Sequence, residues 1–344
     1  MIAAADRARA QAFLDRFVAA GAVRVEPPVL LDAGPLLDLY GEDIRARAFT
    51  THDPLRGEAM LRPDFTVPLL GAHVAAGAGP ARYAYAGEVF RRQEDDSARP
   101  REYLQAGYET IGAEDPAAAD AEVLALLTDA LAPWSPRVAT GDVGLLIAAV
   151  AALDTTEARR AALRRHVPRP GRFRRLMRRF GAPAAAPPPV PACDAPLAGL
   201  RSAEEIAARH ARLAAEAEAP PIHAAQAAAL EALLDLSAPL GRAAAPLRRL
   251  AADLPGLGAA VDRLEARVDA LAGRGLDPAA LDFAPAAGRS AMEYYDGATF
   301  ALTCGGATVA SGGRYDALTA ALGGGAPVGA VGGVVRPGLL GDAP

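Results

Sequence analysis

The chain has 344 residues, 51% of them hydrophobic, and a formal net charge of −5, a length that suits one large domain or two modest ones with ample buried core. No apolar run approaches the roughly 20 residues of a membrane span, residues 1–7 lack the basic-then-apolar pattern of a secretory signal, and the acidic balance speaks against a general nucleic-acid binder. Cys193 and Cys304 stand far apart and the five histidines show no paired spacing, so neither a disulfide framework nor a metal site is expected, and a reducing cytoplasm is the default.

In chain order, residues 4–20 place Ala10, Phe13, Leu14, Phe17 and Val18 on one helical stripe, with Gly21 as a stop. Residues 23–26 alternate like a strand and run into Pro27-Pro28, which ends or edges it. Residues 59–62 read as extended, and a helix is expected from Phe65. Residues 83–90 and 102–109 alternate, joined by the polar, turn-rich run 93–100, the pattern of an antiparallel hairpin with a long loop. Residues 117–131 are helical in pattern and 138–144 strand-like. From about 155 to 275 helix follows helix, broken by an Ala/Pro loop at 181–191. Strand patterns return at 294–303 and 307–311. The expected organisation is an α+β core over residues 1–150 and 278–344, interrupted by a helical insertion over 151–277.

Four segments carry the chemistry: LRPDFT at 61–66; the hairpin, with FRR at 90–92 and REYLQAGYE at 101–109; EYYDGATF at 293–300 with SGGRYD at 311–316; and GAVGGVVR at 329–336. On a strand, Gln105, Gly107 and Glu109 share one face, a glycine floor between two hydrogen-bonding side chains. Asp64 and Glu109 suit an ammonium or an imidazolium, Thr66 adds a hydroxyl, and Tyr294 and Tyr295 add flat surfaces with polar tips. Such a set fits a small zwitterion with an ionisable ring. Arg91 and Arg336 can each fork onto a phosphate or carboxylate. Singly, each has a plainer reading: Glu109 as a solvated carboxylate, the tyrosine pair as sheet packing, Gly312-Gly313 as a turn, Arg91 as a surface arginine. Their order, type and spacing together carry the weight.

Together the segments resemble the class II aminoacyl-tRNA synthetase core, and within it histidyl-tRNA synthetase. Pro27-Pro28 resembles motif 1, which builds the dimer interface, residues 90–109 motif 2, and residues 329–336 motif 3. Tyr294-Tyr295 and residues 312–316 resemble the two histidine-specific segments. The resemblance spans roughly residues 1–150 and 280–336 and implies an antiparallel sheet flanked by helices. Carried over position by position, it implies an amino-acid pocket on Asp64, Thr66, Gln105, Glu109, Tyr294 and Tyr295. The arginine that holds the ATP α-phosphate falls on Arg91, and the motif 3 arginine on Arg336.

Three departures argue against a working synthetase. The family's catalytic arginine, four residues before the tyrosine pair, is replaced by Ser290, and Arg289 is one place away, a shift that turns a strand side chain to the other face unless a bulge restores it. The glutamate before the motif 3 arginine is Val335, which cannot coordinate magnesium. The sequence ends eight residues after Arg336, where the family continues into an anticodon-binding domain, so none is expected. A synthetase core of this kind resembles the regulatory subunit of ATP phosphoribosyltransferase, the first enzyme of histidine biosynthesis, and Asp64-Phe65 in place of the synthetase's Glu-Gly fits that family. The resemblance implies a non-catalytic subunit without a cofactor, L-histidine bound for feedback control, a short catalytic subunit as partner, and a homodimer within a hetero-oligomer. The alternative is an enzyme that makes histidyl-adenylate for a non-tRNA acceptor. RNA binding is a third reading, resting on ten arginines between Arg159 and Arg179. A solvated helical face is preferred there, with docking of an acidic partner as the remaining option.

Overall fold

The computed structural model describes residues 2–93, 100–189, 202–287 and 294–341. Its strands are β1 (Val23–Arg24), β2 (Leu30–Asp32), β3 (Thr50–Asp53), β4 (Gly57–Leu61), β5 (Ala81–Phe90), β6 (Glu102–Ile111), β7 (Arg137–Asp142), β8 (Ala238–Pro239), β9 (Asp282–Phe283), β10 (Ala298–Cys304), β11 (Ala307–Arg314) and β12 (Ala330–Val335). The α-helices are α1 (Ala4–Ala19), α2 (Ala33–Tyr40), α3 (Thr66–Ala75), α4 (Pro116–Ala130), α5 (Val143–Ala151), α6 (Glu157–His166), α7 (Pro170–Phe180), α8 (Ala203–Glu218), α9 (Ala224–Asp235), α10 (Ala244–Leu250), α11 (Leu257–Gly273) and α12 (Asp316–Gly323). The chain divides into two compact units: one of Met1–Gly144, Ser237–Ala244 and Asp262–Pro344, the other of Leu145–Leu236 and Ala245–Val261. The helical stretch thus begins six residues before the expected boundary at 151, and residues 237–244 return to the sheet through the two-residue strand β8, too short to announce itself by periodicity.

The first unit holds a nine-stranded sheet in the order β1-β5-β6-β12-β11-β10-β7-β9-β8, and a small sheet in the order β2-β4-β3. Neighbouring strands from β5 to β7 run antiparallel, and β1 joins the edge parallel to β5. β6 lies inside the sheet and is buried from Leu104 to Ile111, so its alternation separates two faces rather than core from solvent. On one face Tyr108 meets Phe17 of α1 edge-on at 5.9 Å. The helical stripe of α1 closes that face with Phe13, Leu14 and Phe17. α4 starts where Asp115 accepts from the N–H groups of Ala117 and Ala118, with Pro116 behind it, a cap worth about 1 kcal/mol. Gly312 and Gly313 are not a turn: they lie in β11, opposite Gly333 and Gly332 of β12.

In the helical unit, α7 turns Phe173, Met177 and Phe180 inward at helical spacing, so neither phenylalanine is a platform for nucleic-acid bases. The arginine run is partly structural. Arg159, 1% exposed, donates to Glu216 Oε1 at 2.8 Å and to the carbonyls of Glu216, Ala219 and Pro220. Arg174 reaches Glu231 and Asp235, and Arg160 and Arg164 both pair with Glu157. Among the described residues no helix is long and apolar enough to cross a membrane.

Candidate functional site

The register around β6 builds the site. Tyr85 of β5 and Val334 of β12 stand opposite Gly107, Gly332 stands opposite Glu109, and Gly313 of β11 opposite Gly332. Partners directly across a ladder share a face, so Gln105, Gly107 and Glu109 look out over a strip of glycines on the side away from Tyr108. Above that strip opens a polar cleft. All eight residues singled out from the sequence line it: Asp64, Thr66, Gln105 and Glu109 on its floor and wall, Tyr294 and Tyr295 beside them, and Arg91 and Arg336.

Glu109 is the centre of a hydroxyl cage. Its Oε1 accepts from Thr66 Oγ1 at 3.0 Å and from the Tyr85 hydroxyl at 2.8 Å, and its Oε2 accepts from the Tyr315 hydroxyl at 2.6 Å. The carboxylate lies so close over β12 that a Cβ on Gly332 would fall 1.4 Å from Oε2. Glu109 is 1% exposed. Burial raises its carboxyl to about 7, with the three hydroxyls pulling the other way and the neighbouring Asp64 adding to the rise. The glycine floor read from the sequence is not open space: the Tyr85 ring covers it, and a Cβ on Gly107 would sit 2.3 Å from that ring. Phe65 stacks on Tyr85 at 4.3 Å, and the Arg62 guanidinium caps Phe65 at 4.1 Å.

Asp64 and Gln105 are differently placed. Asp64 Oδ1 accepts from Val67 N at 3.2 Å, but Asp64 Oδ2 and Gln105 Oε1 are buried with no hydrogen-bond partner among the described residues. Burial raises the Asp64 carboxyl, and the Arg91 charge opposes that rise. Two acceptors without donors on the wall of one cleft form an unfilled demand for N–H or O–H groups, since such atoms are rare in native interiors. On the other side Arg91 donates only its Nε, to Pro63 O at 2.7 Å, so its Nη groups have no protein acceptor among the described residues. Arg336 donates to Ser311 Oγ at 2.8 Å and Thr308 O at 3.3 Å; burial pulls its pKa below the usual arginine range, Tyr103 opposes this and Arg91 adds to it. Two guanidiniums near one another favour an anion between them. Tyr294 meets Tyr295 edge-on at 4.9 Å and Tyr315 at 5.7 Å, which makes an aromatic wall.

Tyr85, Tyr315 and Ser311 belong to the site and were not singled out from the sequence. Tyr315 stands in the SGGRYD run, where only its hydroxyl contact to Glu109 distinguishes it, and Tyr85 depends on strand register. Val335 corrects an expectation. It pairs with Ala106 on the helix-covered face and is fully buried, so a glutamate there would point away from the cleft, and its absence does not bear on a cation in the pocket. Ser290 and Arg289 lie outside the described residues, as does Cys193. Among the described residues no three His, Cys, Asp or Glu side chains gather as a metal site.

A sequence profile of the histidyl-tRNA synthetase family matches residues 2–337. An ATP phosphoribosyltransferase regulatory subunit from Allorhizobium ampelinum is 36% identical over 347 aligned residues, covering 91% of each chain. The subunit of the same name from Agrobacterium fabrum is 34% identical over 364, covering 93% of this chain and 92% of its own. Among solved structures, an ATP phosphoribosyltransferase regulatory subunit/histidyl-tRNA synthetase from Bacillus halodurans matches with a TM-score of 0.70 at 23% identity, over 97% of this chain and 78% of that one. Histidyl-tRNA synthetase from Nostoc matches at 0.64 and 16% identity, over 97% and 70%. These last two are likenesses of fold.

Proposed function

The chain belongs to the ATP phosphoribosyltransferase regulatory subunits, which share the class II fold of histidyl-tRNA synthetase, and from that premise we propose that it binds free L-histidine in the cleft over β6 and conveys its presence to a short catalytic subunit. The observation that carries this reading is the pair of buried acceptors, Asp64 Oδ2 and Gln105 Oε1, that have no donor among the described residues and lie in a cleft that also holds two arginines. An α-ammonium supplies the missing donors and an α-carboxylate suits the guanidiniums. An imidazole, donor on one nitrogen and acceptor on the other, suits Glu109 and the tyrosine hydroxyls around it. In this reading the chain does no chemistry and takes no cofactor, and its effect on the partner follows from differential histidine affinity of two states of the complex.

The same reading includes a homodimer in the cytoplasm. Next to Pro27-Pro28, Val18, Val23, Val29 and Leu30 are each more than two-fifths exposed. Exposed apolar side chains of that kind suit a self-complementary contact between two copies. A histidine-activating enzyme is the second reading, favoured by one observation: Arg91 and Arg336 open onto the cleft where a triphosphate would need them. The test is the activity of the reconstituted complex with added L-histidine. Inhibition that is present with the wild-type chain and relieved by Asp64→Ala, with assembly intact, is expected. Inhibition equal in both places the feedback site elsewhere.

A further inference from the structure

We propose that Asp296 is the positioning residue of the pocket's aromatic wall, its carboxylate clipping the Tyr294–Tyr295 segment to the β11–α12 corner that carries Tyr315. The link to histidine affinity rests on the histidine reading above.

Tyr294, Tyr295 and Asp296 precede β10, whereas Tyr315 sits between β11 and α12, so the two halves of the wall are far apart in sequence. Three hydrogen bonds join them. Asp296 N donates to Arg314 O at 3.0 Å, Asp296 Oδ1 accepts from Asp316 N at 3.1 Å, and Asp296 Oδ2 accepts from Ala317 N at 2.5 Å. These contacts bracket Tyr315 on both sides. The two N–H groups open α12, whose own N-cap residue is Tyr315 and offers no side-chain acceptor. Asp296 therefore satisfies donors that a helix start otherwise leaves bare.

The corner it grips is fixed from beneath. Arg314 donates to Asp120 Oδ1 at 2.7 and 2.9 Å and to Asp316 Oδ1 at 2.9 Å, and Asp316 Oδ1 also accepts from Ala330 N at 2.8 Å. A Cβ on Gly297 would fall 2.9 Å from the Arg314 side chain, so the residue after Asp296 must be small for the segment to lie flat. From this corner Tyr315 reaches Glu109, and Tyr294 packs against Tyr315. Asp296 itself does not line the cleft. Burial, with Asp316 adding to it, pushes its carboxyl up to about 6, so the acid is held half-buried at a cost that the geometry offsets.

The test uses the full chain with Asp296→Ala and Asp296→Asn, titrated with L-histidine and compared by near-ultraviolet circular dichroism of the tyrosines. Asp296→Ala is expected to weaken histidine binding about tenfold and to diminish the tyrosine signal. Asp296→Asn keeps one acceptor and is expected to recover part of both. Affinity in Asp296→Ala equal to that of the wild type overturns the clip. A wild type that binds no histidine overturns the histidine reading instead. The clip is then decided by the tyrosine signal, which supports it if diminished in Asp296→Ala and overturns it if unchanged. Should Asp296→Ala not fold, Asp296→Asn decides by the same two measurements, and wild-type values in both overturn the clip.

Discussion

Replacing Glu109 by glutamine removes a charge from the hydroxyl cage while keeping its shape. A glutamine carbonyl still accepts from Thr66 and Tyr85, and its amide donates to the Tyr315 hydroxyl, which can turn to accept. The consequence lies in the pH dependence of stability. Burial raises the Glu109 carboxyl from an ordinary 4.5 to about 7, so the folded state holds this proton more tightly than the unfolded chain. A raised acid contributes stability that is fully present below the unfolded value and is lost as pH rises through the folded one. At about 1.4 kcal/mol per pH unit the whole span amounts to roughly 3 kcal/mol, and roughly 2 kcal/mol of it disappears between about pH 5.5 and pH 8.5. The glutamine variant has no such loss. Urea unfolding of both unligated proteins at the two pH values isolates the effect, because every other titrating group is common to both. Glu109→Gln should gain roughly 2 kcal/mol on the wild type as pH rises across that window. Parallel pH profiles would show that Glu109 ionises as an ordinary carboxylate, and the account of its burial would be wrong.

Gly332→Ala puts a methyl group where the Glu109 carboxylate lies; it should cost about 1–3 kcal/mol and abolish histidine binding, checked by thermal melting and calorimetry, whereas unimpaired binding would mean the cage is not required. Arg159→Ala should destabilise the helical unit by about 3–5 kcal/mol, because it strands Glu216 and three carbonyls; chemical denaturation reads this, and a change under about 1 kcal/mol would class Arg159 with surface arginines. Purified protein should show no histidine-dependent ATP–pyrophosphate exchange and charge no tRNA; robust exchange would promote the activating-enzyme reading.

The site was legible in the sequence to the extent that its residues stand at alternating positions on strands and in short polar runs. Gln105 and Glu109 two turns of the pleat apart on β6, and Asp64 and Thr66 at the start of α3, announce one face. What alternation cannot give is register, and register brings Tyr85 over Gly107 and Glu109 over Gly332. Gly312-Gly313 read as a turn because glycine pairs usually are turns; here the missing side chain of Gly312 leaves room for Phe300 and the β12 backbone, and that of Gly313 leaves room for Tyr295. The side of the sheet taken by Val335 was hidden for the same reason. Composition showed a run of arginines but not that Arg159 is buried, since a partner 57 residues away decides it. The class II fold was readable from the order of the motifs, whereas the return of residues 237–244 to the first unit was not, because β8 is two residues long.

The most direct measurement is calorimetric titration of L-histidine into the isolated wild-type chain, Asp64→Asn and Gln105→Ala. Saturable binding to the wild type, weakened about tenfold to a hundredfold by Asp64→Asn as a hydrogen bond to a charged group is lost, is what the two donorless acceptors predict. No binding to the wild type, or one affinity shared by all three proteins, would contradict the assignment of this cleft to histidine.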